Sequence, residues 1–286
     1  MTLPVTFIHL TDLHIANPAV AEPHLYTDTS ATLRTVLDHI ETIDPRPDFI
    51  VVSGDIANNG DPAAYQELKR VWGDCTIPVF YALGNHDDRA AFYDVMLGRT
   101  ENTDAPYCYD LVVAGIHLIV LDTSVPGLAH GDIEPEQFDW LAATLGRNAD
   151  LPKLIILHHG PAIGFEQAGQ GFETLSPEDS QRLARLLAGR NVLGLLSGHI
   201  HQDRFSLWHG VPVIVGNGHH SSLDVLHAGA LRSTRGAGFA YCRALPEGLT
   251  VNFISLPGDG AELSRTSFAE IRAYLDGLLA ARAAMA

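Results

Sequence analysis

The sequence lacks long apolar runs, a basic leader and closely spaced cysteines. No apolar run approaches the ~20 residues that a membrane-crossing helix needs, so we expect no membrane partner. The first residues, MTLPVTFIHLTDLH, hold neither a basic segment nor a small-residue cleavage site and predict a strand rather than a signal peptide. Cys75, Cys108 and Cys242 show no pairing or metal-type spacing, which favours a reducing cytoplasm as the location.

Basic residues are also scarce. The chain holds 18 Lys and Arg against 34 Asp and Glu, for a formal net charge of −16. Nucleic acid polymers gain affinity mainly from Lys and Arg that neutralise phosphates, so a polymer is not the expected partner. Small phosphorylated molecules remain candidates, because a local metal centre can reverse the sign of the field that they meet.

What the sequence does contain is a regular alternation of short apolar runs and amphipathic helical stretches. Hydrophobic residues make up 46% of the 286 residues, which is typical of a globular protein. Up to residue 201 the β-α-β repeats predict a largely parallel sheet with right-handed crossovers. A hairpin over 107–122 and a strand-rich segment after 201 indicate mixed pairing and a second sheet. The prediction is therefore an α/β layered sandwich.

We expect this alternation to form a single domain. Residues 1–220 are predicted to be the catalytic core. Residues 221–286, with several strands and a closing helix, are expected either to complete the fold or to form an interface in a homo-oligomer.

Metal-ligand types of side chain follow five of the predicted strands directly. The five clusters are Asp12-Leu13-His14, Gly54-Asp55, Gly84-Asn85-His86-Asp87, His158-His159 and Gly198-His199-Ile200-His201. Ligands of open α/β sheets bind at the carboxyl ends of the strands, so parallel strands would bring these clusters together. Asp-X-His or Gly-Asp alone is a weak motif and Gly-Asn-His-Asp is a more specific one, but all five in succession at strand ends are hard to attribute to chance.

The residue types suit a pair of divalent metals. Imidazole and carboxylate ligate Zn, Mn, Fe and related ions, and no cysteine is present in the clusters to select a softer metal. In Asp-X-His and His-X-His, the first and third residues lie on one side of an extended chain. Both side chains can therefore point at one centre.

The motif series TDLH, GD, GNHD, HH and GHIH resembles that of the calcineurin-like metallophosphoesterases. The stretches DPRPDFIVVSGDIANNGDPAAYQELK and YALGNHDD resemble the class III cyclic-nucleotide phosphodiesterases and the glycerophosphodiesterases of that superfamily. The resemblance covers residues 5–220. It implies an α-β-β-α sandwich of two mixed sheets, and an enzyme that hydrolyses a small phosphodiester such as a 3′,5′-cyclic nucleotide or a glycerophosphodiester.

The resemblance also implies a role for each motif residue. The implied ligands are Asp12, His14 and His201 for a first metal, Asn85, His158 and His199 for a second, and Asp55 as the bridge. The cofactors would be two divalent or mixed-valence ions, with Fe, Mn, Zn and Co left open. A bridging hydroxide would attack phosphorus. His86 would lie beside the scissile phosphate, to protonate the leaving oxygen or to orient its surroundings.

Several assignments stay open at this point. His158 is preferred over His159 as the ligand, because it stands directly at the strand end like the other ligands. The candidate substrate contacts are Tyr26, His159, His219 and His220. A phosphomonoesterase or nucleotide pyrophosphatase on the same site is the first alternative function. A non-catalytic scaffold is the second, although every ligand position is filled.

Overall fold

The computed structural model describes residues 4–163, 174–227 and 229–285. The helices in these ranges are α1 (Thr29–Glu41), α2 (Pro62–Trp72), α3 (Arg89–Leu97), α4 (Pro135–Gly146), α5 (Pro177–Leu187) and α6 (Phe268–Met285). Strands β1 to β7 are Val5–Leu10, Phe49–Ser53, Val79–Ala82, Tyr109–Val113, Ile116–Val120, Lys153–Ile156 and Val192–Ser197. Strands β8 to β14 are Arg204–Trp208, Val211–Val215, Ser222–Leu223, Ala230–Thr234, Gly238–Leu245, Gly248–Ser255 and Glu262–Ser267. Within the described ranges, no helix has the length and apolar character needed to cross a bilayer.

Aspartate caps set the starts of the first three helices. The side chains of Asp28, Asp61 and Asp88 accept hydrogen bonds from backbone N–H groups in the first turns of α1, α2 and α3. Such caps satisfy donors that have no partner inside the helix. Because Asp88 directly follows the Gly84–Asp87 motif, its cap fixes where that motif loop ends.

The helices and sheets form four layers. One sheet has the strand order β13-β12-β1-β2-β3, and a second has the order β4-β5-β6-β7-β9-β8. Their facing surfaces pack together through buried side chains such as Phe7, Phe49 and Ile156. Helices α1 to α3 cover the outer face of the first sheet, and α4 and α5 cover that of the second. The predicted α-β-β-α sandwich of two mixed sheets is confirmed.

Parallel pairing places the motif loops at one edge. Strands β1, β2 and β3 are parallel, and so are β5, β6, β7 and β9. Leu10 pairs with Val52, and Ser53 pairs with Ala82, so the first three strands end level with one another. The loops that carry the motifs therefore leave both sheets at their carboxyl edge.

A third, three-stranded sheet was not predicted. It has the order β10-β11-β14 and directly follows the loop of His219 and His220. Its strands are polar: Arg232 lies opposite Arg265, and Glu262 forms ion pairs with both at 2.7 Å. Strands without alternating apolar residues have no periodic hydrophobic pattern from which the sequence could predict them.

In the same C-terminal segment, β12 lies between β1 and β13 in the first sheet. The proposed boundary at residue 220 stays a prediction.

Candidate metal centre

The motif loops meet in a compact cluster of imidazoles and carboxylates. Four groups of three residues each have ligand atoms within 4.8 Å of one another. The groups are Asp12, Asp55 and His158; His14, Asp55 and His86; His14, His201 and His220; and His158, His159 and His199. Asn85 joins them through its Oδ1, which lies 3.2 Å from His159 Nε2. All residues that the sequence predicts as metal ligands are thus brought together.

Five of these residues have left-handed backbone conformations. The φ angles are 49° at Asp12, 45° at His14, 48° at Asp55, 73° at His199 and 47° at His201. Residues other than glycine rarely adopt positive φ, and such strain is concentrated at functional sites. The chain is therefore turned sharply at each of these motif positions, in the loop that follows its strand.

The site is packed too tightly for a side chain at two of the motif glycines. A Cβ atom on Gly198 would lie 1.8 Å from Thr11 Oγ1 and 2.3 Å from Asp12 Oδ2. A Cβ atom on Gly84 would lie 2.2 Å from Asp55 Oδ1. These glycines let the backbone approach the carboxylates closely.

Asp12 is completely buried and held from several sides. Thr11 Oγ1 donates to its Oδ2 at 2.8 Å, and the backbone N–H of His199 donates to both carboxylate oxygens at 3.0 Å. Burial acts to raise the pKa of Asp12, but the charge of His201 and a hydrogen bond to it lower the pKa below its usual range. Asp12 is therefore a fixed carboxylate in an imidazole-rich environment.

Asp55 lies between the two sets of imidazoles. Its Oδ2 lies 3.1 Å from His158 Nε2 and 3.7 Å from His14 Nε2, and its Oδ1 accepts from the backbone N–H of His86 at 2.9 Å. Burial acts to raise the pKa of Asp55, but the charges of His158 and His86 lower it well below the usual value. One carboxylate thus faces both halves of the cluster.

His14 and His201 point the same ring nitrogen inward. His14 Nδ1 lies 3.0 Å from Asn58 Oδ1, and His201 Nδ1 lies 3.1 Å from the carbonyl oxygen of Ser221. Both partners are acceptors, so each imidazole donates from Nδ1 and turns its Nε2 atom toward the cluster. The two Nε2 atoms lie 3.2 Å apart. Two lone pairs this close repel each other unless a cation or a proton lies between them.

His158 and His159 are both available to a metal. His158 Nδ1 donates to the carbonyl oxygen of Ser53 at 2.9 Å, so Nε2 is the ring nitrogen that faces Asp55. Burial acts to lower the pKa of His158, but the charge of Asp55 raises that pKa to about 9, so Nε2 carries a proton that a metal ion would replace. That fully buried Nε2 has no hydrogen bond of acceptable geometry among the described residues. His159 Nδ1 lies 2.9 Å from Thr123 Oγ1. His158 alone of the pair approaches the Asp55 carboxylate, so its preference as the ligand remains our prediction.

His86 and His220 both lie beside His14. Their ring centroids are 4.7 and 5.4 Å from the centroid of His14. His86 is exposed, and its Nδ1 donates to the carbonyl oxygen of Asn58 at 2.6 Å. The half-buried His220 ring is stacked against Tyr26 at 6.0 Å, and its backbone carbonyl oxygen accepts from Thr27 Oγ1. The open side of the cluster is therefore lined by His86, His220 and Tyr26.

His219 has a different environment from His220. Its side chain is fully buried, and its backbone N–H donates to the carbonyl oxygen of Asp12 at 2.9 Å. Burial lowers the pKa of His219 to about 4, so the ring is neutral at physiological pH. Of these two candidate substrate contacts, only His220 lies on the open side.

Sequence reasoning gave no role to Asp87, which joins two loops and a helix. Its carboxylate accepts from the backbone N–H groups of Ile56, Ala57 and Gly84, and from the hydroxyl group of Tyr65. These donors come from the loops after β2 and β3 and from α2. The position of Asp87 next to the Asn85-His86 pair was the available signal. Asp87 therefore holds two of the motif loops together.

Replacing Asp87 with alanine is expected to lower the free energy of unfolding of the metal-free protein by about 2–6 kcal/mol. The change removes the carboxylate that accepts four hydrogen bonds. Each of these bonds contributes roughly 0.5–1.5 kcal/mol. Urea denaturation followed by circular dichroism would measure it. The control is Asp88→Ala, which removes only the cap of α3 and should cost about 1 kcal/mol. Equal losses in the two variants would contradict the assigned role.

The sequence of this chain is similar to those of several known proteins. The profile of the family described as calcineurin-like phosphoesterase matches residues 5–203. A probable cyclic nucleotide phosphodiesterase of Rhodococcus erythropolis is 36% identical, over 80% of this chain and 76% of that protein. A cAMP/cGMP dual specificity phosphodiesterase of Mycobacterium tuberculosis is 31% identical, over 88% of this chain and 79% of that protein.

The fold comparison agrees with the family match. A purple acid phosphatase from yellow lupin superposes with a TM-score of 0.63 at 15% identity, over 95% of this chain and 55% of that chain. At this identity the likeness concerns the fold alone. Together with the family match over residues 5–203, the match to the two bacterial phosphodiesterases decides the assignment. The chain belongs to the calcineurin-like phosphoesterase family and is a phosphoric ester hydrolase.

Proposed function

We propose that this chain hydrolyses a small phosphodiester, such as a 3′,5′-cyclic nucleotide or a glycerophosphodiester, with two bound metal ions. The observation that carries the proposal is the convergence of the Nε2 atoms of His14, His201 and His158 around two buried carboxylates. The bacterial relatives named as cyclic nucleotide phosphodiesterases support the choice of a diester.

The residues present fit a pair of cations. Asn58 Nδ2 donates to Glu22, which turns the Asn58 Oδ1 atom toward His14 and fixes the proton of that ring on Nδ1. Partners of this kind orient imidazole ligands toward a metal. The proposed ligands are Asp12, His14 and His201 for one ion, Asn85, His158 and His199 for the other, and Asp55 for both. This nitrogen and oxygen donor set suits Fe, Mn, Zn and Co.

When bound, such ions lower the pKa of water and neutralise the charge of phosphoryl oxygens. The chain itself supplies the proton for the leaving group. His86 has Nδ1 fixed as a donor to Asn58, so a second proton on Nε2 would face the open side of the site. From there it can be transferred to the leaving oxygen.

Substrate binding is proposed for the open side of the cluster. Tyr26 is 41% exposed and stacks on His220, so its outer face is free to contact the organic part of a substrate. His220 lies close enough to His14 and His201 to contact the phosphate or to complete the ligand set. His159 would contribute indirectly, through Asn85, because its Nε2 atom lies 3.2 Å from Asn85 Oδ1.

The charge of the chain favours a small substrate over a polymer. Because the formal net charge is −16, most of the surface repels a polyanion, whereas the metal site would attract one phosphate group locally. We also propose a reducing compartment such as the cytoplasm, since Cys75, Cys108 and Cys242 are all free thiols.

One assay series tests the proposal. Protein supplied with Mn²⁺ is expected to hold two ions per chain, and to hydrolyse bis(p-nitrophenyl) phosphate and cyclic AMP. We expect kcat/KM for the aryl diester to exceed that for p-nitrophenyl phosphate by at least about tenfold, or about 1.4 kcal/mol. A preference for the monoester would contradict the diesterase assignment. Fewer than one bound ion per chain, with no activity, would favour a scaffold.

A further inference from the structure

Arg89, the first residue of α3, carries a charge that is largely shielded from water. Its side chain is 10% exposed, and its Nε atom lies 2.9 Å from Oδ2 of the completely buried Asp122. Buried charges are stable only where a partner and hydrogen bonds compensate for the lost water. Arg89 and Asp122 therefore form a fixed pair. Arg89 follows Asn85 by four residues in the chain, so this pair lies next to the loop of a proposed metal ligand.

The guanidinium group of Arg89 also joins the two halves of the sandwich. Its Nη1 donates to the carbonyl oxygen of Asp104 at 3.1 Å and to Glu134 Oε1 at 3.3 Å, and its Nη2 donates to the carbonyl oxygen of Ser124 at 3.0 Å. Helix α3 covers the first sheet, whereas Asp122 and Ser124 follow β5 of the second sheet. Arg89 thus ties the sheets together at the edge where the motif loops lie.

The loop after β5 is itself held from several sides. The Asp122 carboxylate accepts from the backbone N–H of Tyr107 at 2.8 Å, and from the backbone N–H and the hydroxyl group of Ser124 at 2.9 and 2.6 Å. The side chain of Gln137 bonds to the backbone N–H and C=O groups of Asp122, at 3.0 and 2.8 Å. The residue between Asp122 and Ser124 is Thr123, and these contacts fix its position.

Thr123 connects this loop to the proposed second metal site. Its fully buried Oγ1 atom lies 2.9 Å from His159 Nδ1 and accepts from the backbone N–H of His159 at 3.2 Å. On the other side of the ring, His159 Nε2 lies 3.2 Å from Asn85 Oδ1. The contacts therefore form a closed circuit, which runs from Arg89 through the loop after β5 and His159 to Asn85, and along the chain back to Arg89.

We propose that Arg89 is a positioning residue for the second metal ion; the proposal rests on the two-metal function proposed above. That ion would be held by Asn85 from the first sheet and by His158 and His199 from the second. Such ligands keep their separation only while the two sheets keep their spacing at this edge. The circuit that contains Arg89 fixes that spacing.

The first ion should depend much less on Arg89. Its proposed ligands are oriented by groups of other loops: His14 by the side chain of Asn58, and His201 by the carbonyl oxygen of Ser221. These contacts involve neither Arg89 nor the loop after β5. A loss of affinity confined to one of two ions is therefore the effect that distinguishes positioning from a general role in stability.

Stepwise binding of Mn²⁺ to the metal-free full chain, with free Mn²⁺ measured by electron paramagnetic resonance, would test the proposal. Arg89→Met should raise the Kd of the second ion by about 10–100-fold, the usual effect of losing a group that orients a metal ligand. The Kd of the first ion should stay close to the wild-type value. Arg89→Lys keeps the charge without the forked donor geometry, so its Kd for the second ion should be intermediate.

A second variant opens the same circuit at a different contact. Thr123→Val removes the hydroxyl group next to His159 and leaves the pair of Arg89 and Asp122 in place. It should also weaken the second ion alone, and it decides the question if Arg89→Met does not fold.

The matched control is Tyr109→Phe. Tyr109 of β4 also joins the two sheets on this side, because its hydroxyl group donates to the carbonyl oxygen of Tyr81 at 2.9 Å and accepts from the backbone N–H of Tyr81 at 3.1 Å. Tyr109 lies outside the circuit, so its replacement should leave both dissociation constants unchanged.

Several results would overturn the proposal. Equal weakening of both ions in Arg89→Met, or weakening of the second ion in Tyr109→Phe as well, would assign the effect to the sandwich as a whole. Unchanged binding of the second ion in Arg89→Met and Thr123→Val would exclude the circuit. A higher KM for cyclic AMP with unchanged metal affinity would indicate that Arg89 contacts the substrate instead. A wild-type chain that binds fewer than two ions would contradict the proposed function itself.

Discussion

Asp55→Ala is expected to remove both metal ions and to lower kcat/KM by at least about 10³-fold. The reason is geometric: one Asp55 carboxylate faces His158 Nε2 at 3.1 Å and His14 Nε2 at 3.7 Å, so it serves both proposed ions. Without it, two like-charged ions would share a site with only Asp12 as an anionic ligand. Metal analysis by mass spectrometry, together with rates on bis(p-nitrophenyl) phosphate, would measure both effects.

Two further variants separate metal loss from damage to the loop. Asp55 has a φ of 48°, which asparagine tolerates better than alanine does. Asp55→Asn can also keep an acceptor for the backbone N–H of His86, which bonds to Asp55 Oδ1 at 2.9 Å. It should therefore keep the conformation of the loop while still lacking the negative charge that bridges the two proposed ions.

Asn85→Ala should weaken mainly the binding of the second ion and leave about one ion per chain.

A specific result would refute the dinuclear assignment. If Asp55→Ala retained two ions per chain and full activity, the carboxylate could not be a shared ligand. If Asp55→Asn restored both ions and activity, the role of Asp55 would be to hold the His86 loop rather than to neutralise two cations.

The layers of the fold could be predicted because their signals are local. The stripe of Leu33, Val36 and Ile40 identifies α1, and continuous apolar runs such as Phe49–Ser53 identify buried strands. Parallel pairing then requires that the loops after these strands meet at one edge. The polar third sheet lacked such a signal, because its pairing depends on ion pairs such as those of Glu262.

The contacts within the site could not be predicted, because they join distant parts of the chain. His14 Nε2 and His201 Nε2 lie 3.2 Å apart although 187 residues separate them. Tyr26 and His220 were separate candidates in the sequence, and their stacking against each other required the folded loops. Asp87 likewise gains its role from donors in two other segments. Motif residues can be recognised from local sequence, whereas the network that orients them is long-range.

His86→Gln is expected to retain both metals and to lower kcat for cyclic AMP by about 10²–10⁴-fold, the usual range for a lost general acid. The loss should depend on the leaving group. A p-nitrophenolate leaves without a proton at neutral pH, so bis(p-nitrophenyl) phosphate should lose much less activity than cyclic AMP. Comparing kcat for the two substrates in wild type and variant would measure this difference.

The leaving-group comparison distinguishes proton donation from positioning. His86 belongs to a group with His14 and Asp55 whose ligand atoms lie within 4.8 Å, so it could instead bind an ion. Loss of metal in His86→Gln would support that role and contradict ours. Equal losses on both substrates with full metal content would indicate that His86 only orients its surroundings. His39→Gln, on the exposed side of α1, is the matched control and should change neither metal content nor either rate.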